Sequence, residues 1–323
     1  MSDREANDAT NSHPDEQPEI SGTGLAGASE GEKEVLEKYL LQFLNLEKRF
    51  PLLPGIDNTG AMAGLFGLEE SELAKLRDRY RQNARDAAVE LLEEGEVNEW
   101  LDDLPFGASD TIVALGDSMT DDLQGWFEIF KNVLEITVPG ADFTFVNGGV
   151  SYNTSTEAVQ RLNRDVLDQD PDWVLVALGT FDMQRLHVAP NRTLVPLADY
   201  WENLNTIETV VEEVTDNPII WISPPPVITE MLQQIRLFDF DLFEEDLQQA
   251  REVLNGKKGY IVDPAGRRMG EDTEPDAWNY LSDGLHPSLS GHVETVREVL
   301  RHLTQAKDPE EGSSLEPPED YEG

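Results

Sequence analysis

Five short apolar runs punctuate the chain from residue 110 onward: Thr111–Leu115, Phe143–Asn147, Trp173–Leu178, Ile219–Ser223 and Tyr260–Val262. Successive runs lie roughly thirty to forty residues apart with helical stretches between them, the spacing of βαβ units rather than of hairpins. A strand that returns parallel to its predecessor needs a crossover, and crossover helices cover both faces of the sheet. The spacing therefore predicts a three-layer α/β/α sandwich on a five-stranded parallel sheet, of the flavodoxin-like type. Its chemistry is expected at the carboxyl ends of the strands.

Ahead of the first strand the apolar period is helical. Val35, Leu36, Tyr39, Leu40, Phe43 and Leu46 mark a helix over Glu32–Phe50, which Pro51 and Pro54 stop. Ser71 with Glu72 opens a second helix, whose stripe of Leu73, Leu76, Tyr80, Ala84, Ala87, Ala88 and Leu91 runs up to Gly95. A short third helix holds Trp100 and Leu101. Residues 31–107 thus read as an α-helical N-terminal extension, and 108–305 as the α/β domain. Residues 1–30 and 306–323 are acidic and too poor in apolar side chains to fold.

Charge is the second constraint. The 65 acidic and 24 basic residues give a formal charge of −41, and the acids are spread through the helices as well as the ends. In dilute salt such a surface repels itself, whereas molar salt shortens the screening length to about 3 Å. The expectation is a halophilic protein with an acidic surface, with no nucleic acid or anionic membrane as partner. The chain has no Cys, which excludes disulfides, a thiol nucleophile and thiolate-bound metal. The first twenty residues lack the basic start and apolar core of a secretory signal. No apolar run is long enough for a membrane span, so the expected location is cytoplasmic.

Two stretches carry chemistry. In "ALGDSMTDD", Ser118 follows the first strand directly, where a hydroxyl and a backbone N–H both face the crevice, as a nucleophile requires. A serine capping the next helix would look the same. In "LSDGLHPSLSGH", Asp283 lies three residues before His286, close enough for the carboxylate to fix the imidazole tautomer and stabilise its charged form. His13, His187, His292 and His302 read as capping or surface histidines. Trp278 and Tyr280, just ahead of Asp283, divide evenly between core and pocket lining. Asp117, Asp121, Asp122 and Asp182 gather at strand ends, but no metal-binding spacing is present, so no metal is assigned.

Together these stretches resemble the SGNH hydrolase family, the GDSL-type esterases and lipases. The resemblance covers residues 110–303: "GDSMTDD", "FVNGGVSYNTS", "ALGTFDM", "WISPPP" and "DGLHPS" follow one another in the family's order. It implies a serine hydrolase acting on a small-molecule ester without a cofactor. Ser118 would be the nucleophile, and Asp283 and His286 would complete the triad. The backbone N–H groups of Ser118 and Gly149 would form the oxyanion hole, and Asp117 and Asp182 would be structural.

One position departs from the family. Its third block reads G-x-N-D, and the Asn donates a side-chain N–H to the oxyanion; here that position is Phe181. Losing one such donor typically costs about 100- to 1,000-fold in turnover. Asn153, in the loop after the second strand, and Gln184, three residues beyond Phe181, are the candidate substitutes. Three accounts stand: an esterase with a rebuilt oxyanion hole, a site in which Phe181 walls the pocket and transfers acyl groups to a sugar or small solute, and an inactive binding protein. In the last, the N-terminal helices would dock a protein partner or a second copy. Retention of Ser118, Asp283 and His286 favours activity, since a buried Asp–His pair carries a desolvation cost.

Overall fold

Strand β1 (Thr111–Gly116) sits inside the sheet, and Ile112, Val113, Ala114 and Leu115 are buried on both of its faces. It pairs in parallel with β2 (Thr144–Gly149) on one side and β3 (Trp173–Ala177) on the other. A short antiparallel ribbon joins β4 (Arg185–Leu186) to β6 (Phe240–Asp241), a pairing too short to leave a sequence pattern. Beyond β3 lie β5 (Ile220–Ile222) and then β7 (Tyr260–Val262), again parallel. The computed structural model describes residues 37–43, 45–235, 238–264 and 276–305. The expected disordered ends at 1–30 and 306–323 lie outside these residues.

The sheet order is β2-β1-β3-β5-β7, so the five expected strands form the three-layer α/β/α sandwich anticipated above. The order reverses between β1 and β3, and ligands in such sheets bind outside the carboxyl ends at that reversal. Gly116 is level with Gly149 in β2 and with Ala177 in β3. The segments that follow, carrying Ser118, Tyr152 and Phe181, therefore leave the sheet from one edge. A Cβ on Gly149 would lie 2.4 Å from Asp121 N and 2.6 Å from the Thr120 carbonyl carbon, both of them backbone. Gly149→Ala is expected to cost about 1–3 kcal/mol through this overpacking, read as a drop in denaturant midpoint. An unchanged midpoint would mean that the two loops part freely.

The helical N-terminal region is part of the sandwich. The stripe of the Glu70–Leu92 helix, Ala84, Ala87, Ala88 and Leu91, shares one apolar core with Ile112, Trp126, Phe130 and Val296. This stripe is thus buried against the body of the molecule. The continuous helix expected over Glu32–Phe50 is not what forms. A π-helical turn, Glu37–Leu41, and a one-turn helix, Leu46–Arg49, flank a break. Tertiary contacts override helical propensity there: Gln42, Phe43 and Asn45 are buried, and the Leu123 N–H donates to the Gln42 carbonyl at 3.2 Å.

Candidate active site

Ser118 opens a one-turn helix, Ser118–Asp121, capped by Asp117, whose carboxylate accepts the Met119 N–H at 3.0 Å. The side chain is fully buried, and its Oγ accepts the Tyr152 N–H at 2.9 Å. Tyr152 holds a φ of +61°, a left-handed conformation costing a non-glycine residue about 1–3 kcal/mol. The preceding residue secures it. Ser151 donates its N–H and its hydroxyl to Asp121 Oδ2 at 3.0 and 2.9 Å, and the hydroxyl also contacts the Phe43 carbonyl.

Asp283 and His286 meet within a single turn. His286 Nδ1 lies 2.7 Å from Asp283 Oδ2, and Asp283 Oδ1 accepts the N–H groups of Leu285 and His286 at 3.0 Å each. Burial alone would raise the Asp283 carboxyl, but the His286 charge, its ring hydrogen bond and the two amides hold it below the ordinary carboxylate range. With Nδ1 on the carboxylate, Nε2 is buried and has no hydrogen-bond partner among the described residues. The Ser118 hydroxyl is not bonded to it; Tyr152 links the two, with its N–H on Ser118 and its ring 6.2 Å from the imidazole. Such bonds are often open before substrate binds.

An aromatic wall surrounds the imidazole. The Phe43 ring lies 4.3 Å from it, Phe181 6.3 Å and Phe238 6.4 Å, while Phe181 meets Tyr152 edge-on at 5.2 Å. Phe181 is thus a fully buried wall residue beside His286, with no donor to offer. Neither Phe43 nor the Tyr152 amide was visible in the sequence. Phe43 reads as one more apolar position of a helix, and a backbone N–H has no side-chain signature.

The Gly149 N–H, expected in the oxyanion hole, donates to Asn147 Oδ1 at 3.0 Å, whereas the Tyr152 N–H donates to the serine hydroxyl. Asn153 is buried, and its Oδ1 accepts Arg161 Nε at 2.8 Å. Gln184 is buried, and its carbonyl accepts the Leu194 N–H at 2.7 Å. Asp182 accepts the Ser155 N–H at 3.0 Å and also holds its hydroxyl, tying the loop after β3 to the helix after β2.

The reading of His292 is corrected. The side chain is buried, with Nε2 3.1 Å from Asp122 Oδ2, rather than capping or at the surface. Trp278 is 81% exposed, while the Tyr280 hydroxyl donates to the Pro226 carbonyl at 2.7 Å. A cavity lined by Asp117, Met119, Trp126, Thr180, Ser223 and His292 includes none of Ser118, Asp283 and His286. Among the described residues no group of three acidic or histidine side chains is arranged to hold a metal ion, and no helix is long and apolar enough to cross a membrane.

Burial pushes the Asp117 carboxyl up to about 7 and Asp182 up to about 6. A carboxyl raised in the folded state keeps protons that the unfolded chain releases, so this stability is complete below about pH 4 and is lost as the pH rises through about 7. For Asp117 the loss is about 4 kcal/mol. Asp117→Asn keeps an acceptor for the Met119 N–H. Its denaturant midpoint is expected to fall much less between pH 5.5 and 8 than that of the wild type, and parallel curves would refute the burial argument.

The model of the GDSL-like lipase/acylhydrolase family matches residues 114–293. A curated acetylxylan esterase of Geobacillus stearothermophilus is 24% identical over 218 residues, spanning 62% of this chain and 96% of that protein. A crystal structure of an acetylxylan esterase from that organism aligns with a TM-score of 0.47 at 21% identity, over 61% of this chain and 95% of its own. A lipase/acylhydrolase structure from Enterococcus faecalis gives 0.47 at 21% identity, over 63% and 100%. The family match spans more than half of the chain, including the Ser118 loop, the turn at Tyr152 and the Asp283–His286 pair; the protein belongs to the GDSL-like lipase/acylhydrolase family and is a carboxylic ester hydrolase.

Proposed function

We propose that the protein hydrolyses small carboxylic esters through an acyl-enzyme on Ser118. The observation that carries this reading is the buried Asp283–His286 pair, whose Nε2 is left without a partner among the described residues, with Tyr152 packed near its ring and donating its N–H to Ser118. Ser118 Oγ attacks the ester carbonyl carbon while His286 Nε2 takes the hydroxyl proton, with Asp283 stabilising the imidazolium. The N–H groups of Tyr152 and Ser118 receive the oxyanion. Collapse expels the alcohol, which takes its proton from His286. Water then repeats the sequence on the acyl-enzyme and releases the acid and free Ser118.

The rings of Phe43, Tyr152 and Phe181 around His286 suit a short acyl group, in keeping with the acetyl ester named for the Geobacillus relative. The acidic composition supports work in concentrated salt. In molar KCl, 4-nitrophenyl acetate is expected to be cleaved at least about 10-fold faster than the octanoate, because one or two surplus methylenes in a tight pocket already carry that discrimination. Equal rates would remove the wall from the argument. Complete burial of Ser118 and His286 favours one competing reading, transfer of the acyl group to a sugar or small solute with water excluded. Product analysis with added acceptor alcohols separates the two.

A further inference from the structure

We infer that a segment made of Gln42, Phe43 and Asn45–Arg49, which precedes the family-matched region, is a clamp that holds the Ser151–Tyr152 turn against Ser118, with Lys48 as its positioning residue. Lys48 Nζ donates to Asp121 Oδ1 at 2.7 Å, to Asn147 Oδ1 at 3.0 Å and to the Gly149 carbonyl at 3.3 Å. One ammonium thus braces the helix that begins at Ser118 to the exit of β2 that leads to Tyr152. Asn45 Nδ2 adds a second donor to Asp121, at 2.7 Å from Oδ1 and 2.9 Å from the carbonyl.

The braced carboxylate in turn holds the turn. Asp121 Oδ2 receives both the N–H and the hydroxyl of Ser151, whose hydroxyl also meets the Phe43 carbonyl. Arg49 Nη1 donates to the Ser151 carbonyl at 2.9 Å. Ser151 is therefore gripped at its amide, hydroxyl and carbonyl, two of these directly by the segment. Its neighbour Tyr152 is the residue in the strained left-handed conformation that aims its N–H at Ser118 Oγ. Strain of this kind persists only where surrounding contacts over-determine it.

The clamp has a rigid backing. The Tyr80 hydroxyl donates to the Glu37 carbonyl at 3.0 Å, and Arg77 pairs with Glu47 at 3.0 Å. Both anchors lie on the Glu70–Leu92 helix, which is itself built into the sandwich. Gln42 Nε2 adds a buried bond of 2.8 Å to Asp122 at the end of the nucleophile helix. The helical extension thus reaches the reaction centre through these side chains. The kinetic part of this inference rests on the proposed role of Ser118; the structural part does not.

The test uses the full-length chain with Lys48→Met, Lys48→Arg and Arg49→Met, each checked for an intact melting transition. In Lys48→Met, hydrogen exchange of the Tyr152 amide is expected to quicken at least 10-fold. Its kcat on 4-nitrophenyl acetate should fall about 10- to 100-fold with KM within twofold, as for a donor displaced by a fraction of an ångström. Lys48→Arg should restore most of both. Should Lys48→Met fail to fold, Arg49→Met carries the same expectations with smaller size. Unchanged exchange at Tyr152, or faster exchange with unchanged kcat, overturns the clamp. A wild type as inert as Ser118→Ala would sink the esterase reading instead, and the exchange result would still decide the clamp.

Discussion

Ser118→Ala is expected to lower turnover of a short-chain 4-nitrophenyl ester in molar KCl by about 10⁶-fold, the scale on which removing a serine nucleophile typically acts. The hydroxyl is the atom that forms the acyl bond in the proposed reaction, and it is the one that the Tyr152 amide holds among the described residues. The fold should survive, because β1 and the packing around Met119 are untouched by the loss of one oxygen. A modest penalty of about 1–3 kcal/mol is expected, since the Tyr152 N–H loses its partner in a buried site. Circular dichroism and a melting curve separate this from unfolding. A folded variant retaining more than a hundredth of the wild-type rate would move the nucleophile elsewhere.

Asp283→Asn is expected to cost about 10⁴-fold in kcat, the typical result of presenting a catalytic histidine with an amide in place of its carboxylate. The Asn carbonyl would still accept the N–H groups of Leu285 and His286, so the turn survives. Its NH₂ group, however, would face His286 Nδ1, where a carboxylate oxygen now sits at 2.7 Å. That geometry favours a proton on Nε2 and leaves no lone pair there for the serine proton. The substitution also removes the negative charge that stabilises imidazolium. Nitrogen-15 shifts of the imidazole, read beside the kinetics, test both parts. A neutral Nδ1–H tautomer in the variant, or a loss under tenfold, would refute the assigned role of Asp283.

These two effects rest on residues that stand out in the amino-acid string, and the reason is local. Asp283 and His286 are three residues apart, so one turn brings them together whatever the rest of the chain does. Ser118 follows a run buried on both faces, and a parallel sheet delivers such a residue to its carboxyl edge. The five strands were equally legible because their apolar runs and spacing are set by burial in a two-faced sheet. Phe181 was legible only as a departure. Its packing beside Tyr152 and His286 explains what the ring does, as a wall rather than a donor.

The amino-acid sequence by itself determined the parallel α/β architecture, the sheet edge that carries Ser118 and the Asp–His turn, since each follows from the periodicity of burial or from neighbours a few residues apart. Only the tertiary structure decided which backbone amide meets Ser118, that of Tyr152. It also decided that the expected helix breaks around Gln42 and Phe43, so that Phe43 and Arg49 reach the Ser151 turn, and that His292 pairs with Asp122 from 170 residues away. Backbone donors have no side-chain code, and contacts between distant segments are selected by the packing of the whole chain rather than by any local period.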